Sequence, residues 1–280
     1  MRIRARGLVA GRATGNALVS SDPFSFVGGV DPATGSILDG AIGILGERLD
    51  KRIFAFPTGK GSTVGSYVLY GLGKRGHGPA AIVNRRADSV VAVGATLAGI
   101  PMVDRVDVGG LRTGDRMVVD GGRGTVELPD IQGKRVVTAI LRNQGRILIV
   151  RRSEKVATFQ GKWSAISGHI EGREDPKHRA IVEVREETGI RAITFRGAGD
   201  AVLARDGTTI YVVHPFLFDT PKRRVRLDWE NVEQRWVRPE ELDRLETVPR
   251  FVDVVAAVLR LSTENRGLIP RRNRSARPAR

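Results

Sequence analysis

The chain has 280 residues, 41% hydrophobic and 28% charged, with a formal net charge of +15. That length suits two domains, each burying its own core, and no apolar run approaches the roughly 20 residues of a membrane span. It contains no cysteine, which excludes disulfides, a thiol nucleophile and an iron–sulfur cluster ligated conventionally by this chain.

Only four histidines occur, His77, His169, His178 and His214, and none has the close spacing of a zinc site. A metal held by oxygen ligands is the option that remains. The N-terminal stretch "MRIRARGLVAGRATG" lacks the apolar segment of a secretory signal, so a cytoplasmic protein is expected. The charge is uneven: residues 1–130 hold 16 basic and 12 acidic residues, 131–265 hold 24 and 19, and 266–280 hold six arginines and no acid. The stretch "RGLIPRRNRSARPAR" reads as a disordered basic tail. No aromatic residue interleaves with its arginines, so specific nucleic-acid binding is not expected.

The first half is glycine-rich, with short β-prone runs in "RLDKRIFAFP", "PAAIVN", "SVVAVGATLAGIPMV" and "DRMVVDGGRGTVEL". "GSTVGSYVLYGLGK" predicts a helix, and "VDGGRG" a tight hairpin turn. The loop "PTGKGS" before that helix brings together Gly59, Lys60, Gly61, Ser62 and Thr63. Amides of a glycine-rich turn at a helix N-terminus suit a phosphate or carboxylate, although the Lys-Ser/Thr pair of a P-loop is absent. "ELPDIQGKR" marks a boundary, placed near residue 131.

The second half opens with strands in "RVVTAILR" and "RILIVRRS", joined by "NQG", then an irregular stretch "EKVATFQGKWSAISGHIEGRE". A helix follows, with Asp175 as its cap, Pro176 at its first position and Gly189 past its last turn. Strands in "AVLARDGTTIYVVHPFLFD" and "EQRWV", a short helix "RPEELDRL" and an amphipathic helix "RFVDVVAAVLRLS" complete the reading. Trp163, Trp229 and Trp236 are expected in the core or at its rim.

On the central helix Glu183, Glu186 and Glu187 are three and four residues apart and share one face. Like charges so placed destabilise an isolated helix, whereas Mg²⁺ among them makes the arrangement favourable. The competing reading is a solvated acidic face paired with Arg179 and Arg185.

The surrounding spacing separates the two. Gly168, five residues, Glu174, seven residues, Val182, Glu183, then Glu186, Glu187, Gly189 and Ile190, resembles the Nudix box, with valine where that pattern has arginine. The resemblance covers about residues 134–263 and implies an α/β/α sandwich with Mg²⁺- or Mn²⁺-dependent cleavage of a diphosphate. It implies Glu183 as general base or metal ligand, Glu186 and Glu187 as metal ligands, the Ser167 carbonyl as a further ligand, and Glu174 as a supporting carboxylate. Glu230 or Glu233 would add an acid from a loop. Valine cannot orient a glutamate as arginine does, and Arg179, four residues before Glu183, is the expected substitute. An alternative expectation is a degenerate Nudix site that senses a nucleotide or diphosphate without cutting it.

In the first half, "GRATGNALVSSDPFSFVGGVDPATGSILD", "GKGSTVGSYVLYGLGKRGHGPAAIVN" and "VAVGATLAGIPMVD" resemble the small subunit of archaeal phosphomevalonate dehydratase, the swivel partner of the aconitase X group. The resemblance covers about residues 5–128. It implies a swivelling β/β/α domain, Ser62 as proton acceptor with Gly59, Lys60, Gly61 and Thr63 around the substrate, and a large-subunit partner carrying the [4Fe-4S] cluster. The expected organisation is therefore mixed α and β: a swivel domain over 1–130, a Nudix sandwich over 131–265 and a tail over 266–280.

Overall fold

The structure is a computed structural model that describes residues 1–40 and 43–267. Most of the basic tail lies outside the described residues. The chain divides into two compact units, the first comprising 1–134 with 203–212, the second 135–202 and the residues from 213 on. No helix among the described residues is long and apolar enough to cross a membrane.

The first unit contains β1 (Arg2–Arg4), β2 (Arg6–Val9), β3 (Arg12–Val19), a helical turn α1 (Phe26–Gly29), β4 (Ile53–Phe56), α2 (Val64–Lys74), β5 (Ala81–Asn84), α3 (Ser89–Ala98), β6 (Met102–Asp104), β7 (Arg116–Asp120) and β8 (Thr125–Glu127). The strands run in the order β1-β8-β7-β3-β4-β5-β6-β2. β3, β4, β5 and β6 are parallel, and the others join antiparallel.

β4 shows why the centre is apolar without alternation. Phe54 and Phe56 enter one core beside Leu69 and Leu72 of α2 and Val91 and Ala95 of α3. Ile53 and Ala55 enter another beside Met117, Val119 and Val126. Both faces are covered, as parallel strands require.

"SVVAVGATLAGIPMV", expected as a β-prone run, instead supplies a helix followed by a strand. The Asp88 carboxylate caps α3 by accepting from Val91 N at 2.8 Å, and Gly99 ends it with φ 67°. Parallel strands also need a crossover element, which overrides the β preference of the valines. The N-terminal strands β1 to β3 were not foreseen.

The second unit contains β9 (Gln132–Asn143), which starts in the first, β10 (Arg146–Arg152), β11 (Trp163–Ser164), β12 (Ile166–His169), α4 (Pro176–Thr188), β13 (Thr194–Ala198), the later part of β15 (Thr209–Asp219), β16 (Asn231–Val237), a 3-10 turn (Pro239–Arg244) and α5 (Phe251–Gly267), whereas β14 (Val202–Asp206), from its second residue, and the first part of β15 belong to the first unit. One face of the sheet, with Leu148 and Val150, packs against Ala180 and Val184 of α4. The other, with Ile147 and Ile149, packs against Phe251, Val255 and Val258 of α5. The result is a sheet between helices. Two strands, β11 and β12, run through the stretch expected to be irregular, and β12 pairs with β9 through Ser167↔Thr138 and Gly168↔Val137.

Candidate active sites

The first site is the loop between β4 and α2, beyond the carboxyl end of a parallel strand, where open α/β sheets bind ligands. Two neighbours hold it. Phe24 N donates to Thr58 O at 3.0 Å and Lys60 N to Phe24 O at 2.9 Å, while Arg85 N and Arg86 N both donate to Pro57 O, at 3.1 and 3.0 Å. Gly59 is required by packing, because a Cβ there would stand 1.8 Å from Asp88 Oδ2. Gly61 is required by its backbone, with φ +105°.

Lys60, Gly61, Ser62 and Thr63 are exposed. Ser62 stands at the entrance of α2: its Oγ accepts from Val64 N at 3.3 Å and its carbonyl from Gly65 N at 3.0 Å. The amide and the helix dipole stabilise negative charge on that oxygen. Asn84, at the end of β5, was not expected here. It is buried, donates from Nδ2 to Phe56 O at 2.8 Å, and leaves its Oδ1 buried without a partner. An asparagine closing a β-prone run was the only signal the sequence offered.

The second site is carried by α4. Asp175 accepts from His178 N at 2.7 Å, Pro176 begins the helix, and Gly189 follows it with φ 70°. Glu183 and Glu187 are buried, at 6% and 4% exposure, whereas Glu186 faces solvent. Gly168 makes room for Glu183, since a Cβ on it would fall 1.5 Å from Glu183 Oε1.

Arg179 reaches Glu183 across one helical turn. Its Nε donates to Glu183 Oε1 at 2.7 Å, its Nη2 donates to the same oxygen, and Nη2 lies 3.8 Å from Glu186 Oε2. Glu187 is held by neutral donors: Ser167 N to Oε1 at 3.1 Å and Asn231 Nδ2 to Oε2 at 2.7 Å. Asn231 belongs to β16, and nothing in its sequence spacing announced this role.

Burial pushes the Glu183 carboxyl above the ordinary glutamate range; the Arg179 contact opposes this, and the charges of Glu186 and Glu230 add to it. Burial pushes Glu187 up much further, against the Asn231 hydrogen bond. Arg179 is held above its ordinary value, because contact with Glu183 and the fields of Glu174 and Glu186 outweigh burial.

Of the two loop acids expected, Glu230 lies within the field of Glu183 and Glu187, and its carboxyl is raised by burial and by Asp228. Glu233 is engaged elsewhere, 2.7 Å from Arg235 and 3.7 Å from Arg151. His169 and His178 are exposed. Trp163 is buried and Trp229 is 61% exposed.

The donors on α4 are hard oxygens of the kind Mg²⁺ selects. Their arrangement is less ready: among the described residues no group of three or more His, Cys, Asp or Glu could hold a metal ion as it stands. Arg179 lies between two of the carboxylates concerned.

Residues 2–128 match the aconitase X swivel domain family and residues 132–258 the NUDIX domain family. The phosphomevalonate dehydratase small subunit of Pyrococcus furiosus is 52% identical over 128 residues, 46% of this chain and 96% of that protein. The small subunit from Methanocaldococcus jannaschii is 49% identical over 128 residues, 46% of this chain and 98% of that protein. Among solved structures, Thermococcus kodakaraensis aconitase X in its holo-form is 47% identical over 46% of this chain and 98% of that one, with a TM-score of 0.45. The MutT protein of Methanosarcina mazei is 29% identical over 49% of this chain and 97% of that one, with a TM-score of 0.41. The chain thus belongs, through its first half, to the phosphomevalonate dehydratase small-subunit family, and its second half is a NUDIX domain.

Proposed function

We propose that the chain combines the small subunit of a phosphomevalonate dehydratase with a divalent-metal-dependent diphosphate hydrolase. The observation that carries the first half is the Ser62 loop, held at the carboxyl end of β4 within a segment 52% identical to a dehydratase small subunit. In this reading a base of the partner chain first takes the Ser62 hydroxyl proton, and the resulting alkoxide accepts the proton from the carbon beside the substrate carboxylate. Val64 N and the α2 terminus stabilise its oxygen, while Gly59, Lys60, Gly61 and Thr63 face the anionic substrate, mevalonate 5-phosphate. The serine has no base bonded to it among the described contacts, which agrees with a site completed by another chain. A large subunit would hold the [4Fe-4S] cluster, which would supply Lewis acidity for departure of the hydroxyl group.

The second half rests on the tie between α4 and β12. Glu183 is seated against Gly168 and, before metal binds, is held by Arg179, one turn from the position where Val182 replaces arginine. Its burial makes it a stronger base than an ordinary glutamate, suited to taking a proton from an attacking water. Glu183, Glu186, Glu187 and the Ser167 carbonyl are the donors that would hold Mg²⁺ or Mn²⁺, with Glu174 supporting Arg179. The ion supplies charge neutralisation at the diphosphate and an acidified water.

The test has two arms. The purified chain with Mg²⁺ is assayed for phosphate release from nucleoside triphosphates, ADP-ribose, dinucleotides and isopentenyl diphosphate, beside Glu183→Gln. Mixed anaerobically with a dehydratase large subunit, it is assayed for dehydration of mevalonate 5-phosphate, beside Ser62→Ala. Turnover lost in each variant supports the reading; absence of turnover in either arm removes that half. Val182 favours one second reading, a diphosphate or nucleotide sensor regulating the dehydratase assembly. That reading gives saturable binding without phosphate release.

A further inference from the structure

Three glutamates on adjacent turns repel one another, and two of them are buried. Their neutralisation is uneven. Both oxygens of Glu187 are met by uncharged donors, Ser167 N and Asn231 Nδ2. Glu183 and Glu186 instead share one cation, the Arg179 guanidinium, which bonds Glu183 Oε1 through two nitrogens and stands 3.8 Å from Glu186 Oε2. Glu174 adds its field to the same group. A divalent ion bridging Glu183 and Glu186 would need the same oxygens and the same space. A neutral donor beside a carboxylate can coexist with such an ion, but a guanidinium between two carboxylates opposes it through both charge and volume.

We propose that Arg179 is an internal counter-cation that competes with the divalent metal for Glu183 and Glu186, so the metal enters only as the guanidinium leaves. The inference rests on the reading of α4 as a metal-binding helix, but not on hydrolysis. It gives Arg179 two effects: it partly neutralises the carboxylate pair when no metal is bound, and it sets the metal concentration at which the site fills.

The test is Mn²⁺ binding to the full chain after chelator treatment, followed by the electron paramagnetic resonance signal of the free ion. Arg179→Gln is expected to bind Mn²⁺ at least tenfold more tightly than the unaltered chain. Adding Glu183→Gln to that variant should cancel the gain. Arg179→Lys, with a charge but no fork, should fall between, and it serves if the glutamine variant fails to fold by circular dichroism. Affinity that is unchanged or weaker in folded Arg179→Gln overturns the proposal, as does a gain that survives Glu183→Gln. Tighter Mn²⁺ binding without phosphate release from any substrate would remove the hydrolase reading and leave this one standing.

Discussion

Gly168→Ala tests the second site without touching an ionisable group. A Cβ at that position would lie 1.5 Å from Glu183 Oε1, 2.1 Å from Cδ and 2.6 Å from Cγ. Three consecutive atoms are met, so turning the carboxylate about its last bond does not relieve the clash. Ordinary contact begins at 3.4 Å, and the carboxylate must therefore retreat by about 2 Å, which breaks the 2.7 Å hydrogen bond from Arg179 Nε. Overpacking of this kind costs about 1–3 kcal/mol.

All three tryptophans, Trp163, Trp229 and Trp236, lie in the second unit, so their fluorescence during urea unfolding reports on that unit alone. With a urea dependence of about 2 kcal/mol per molar, a 2 kcal/mol loss lowers the midpoint by about 1 M. On the proposed hydrolase reading, Mg²⁺-dependent phosphate release should vanish as well, because Glu183 is no longer seated. In Gly168→Ala/Glu183→Ala the clash partner is gone, so the two losses should not add. An unchanged midpoint for Gly168→Ala, or additive losses in the double variant, would refute the reasoning.

Two further predictions follow the same logic. Gly59→Ala would bring a Cβ 1.8 Å from Asp88 Oδ2 and displace the cap of α3; a loss of about 1 kcal/mol is expected, seen as faster amide hydrogen exchange at Val91 with α4 unaffected. Asp219 accepts from Arg142 Nε and from Arg196 Nε, each at 2.7 Å, and these contacts outweigh burial and hold its carboxyl below the ordinary range. Its stabilising contribution is present above the unfolded aspartate value and is lost as pH falls through the lower folded one, so Asp219→Asn should flatten the acid limb of stability in the second unit; an acid limb of unchanged slope would count against it.

Much of this was legible in the chain, and what was missed has a common cause. The caps of α4 depend on residues adjacent in sequence, Asp175, Pro176 and Gly189, and their chemistry is local. The hairpin of β7 and β8 is equally local. The helix α3 was misread because its valines favour a strand, while the need for a crossover between β5 and β6 comes from pairing with distant residues. β12 was missed because its partner β9 lies some 30 residues away, with Ser167 opposite Thr138. The three glutamates and Arg179 stood out by spacing. Asn231 did not, since only the sheet brings it to Glu187, 44 positions away. Nor could spacing show that Glu186 is exposed while its neighbour Glu187 is buried.

That difference in burial carries a consequence for pH. Glu183 and Glu187 both have carboxyls raised in the folded state, chiefly by burial, so the folded unit takes up protons more readily than the unfolded chain. The stability they contribute is fully present below the ordinary glutamate value and is lost as pH rises through their folded values, opposite in sign to Asp219. Without metal, the second unit should therefore become less stable as pH rises through that window. The double variant Glu183→Gln/Glu187→Gln should not show this loss, even though glutamine cannot accept from both Ser167 N and Asn231 Nδ2 as the carboxylate does. Urea midpoints by tryptophan fluorescence from acid to alkaline pH would decide it. A loss of equal slope in the double variant would assign the effect to other groups. The expected result would mean that α4 carries its buried carboxylates at the expense of its own fold, a cost that a purely structural helix could avoid with apolar residues at the same positions.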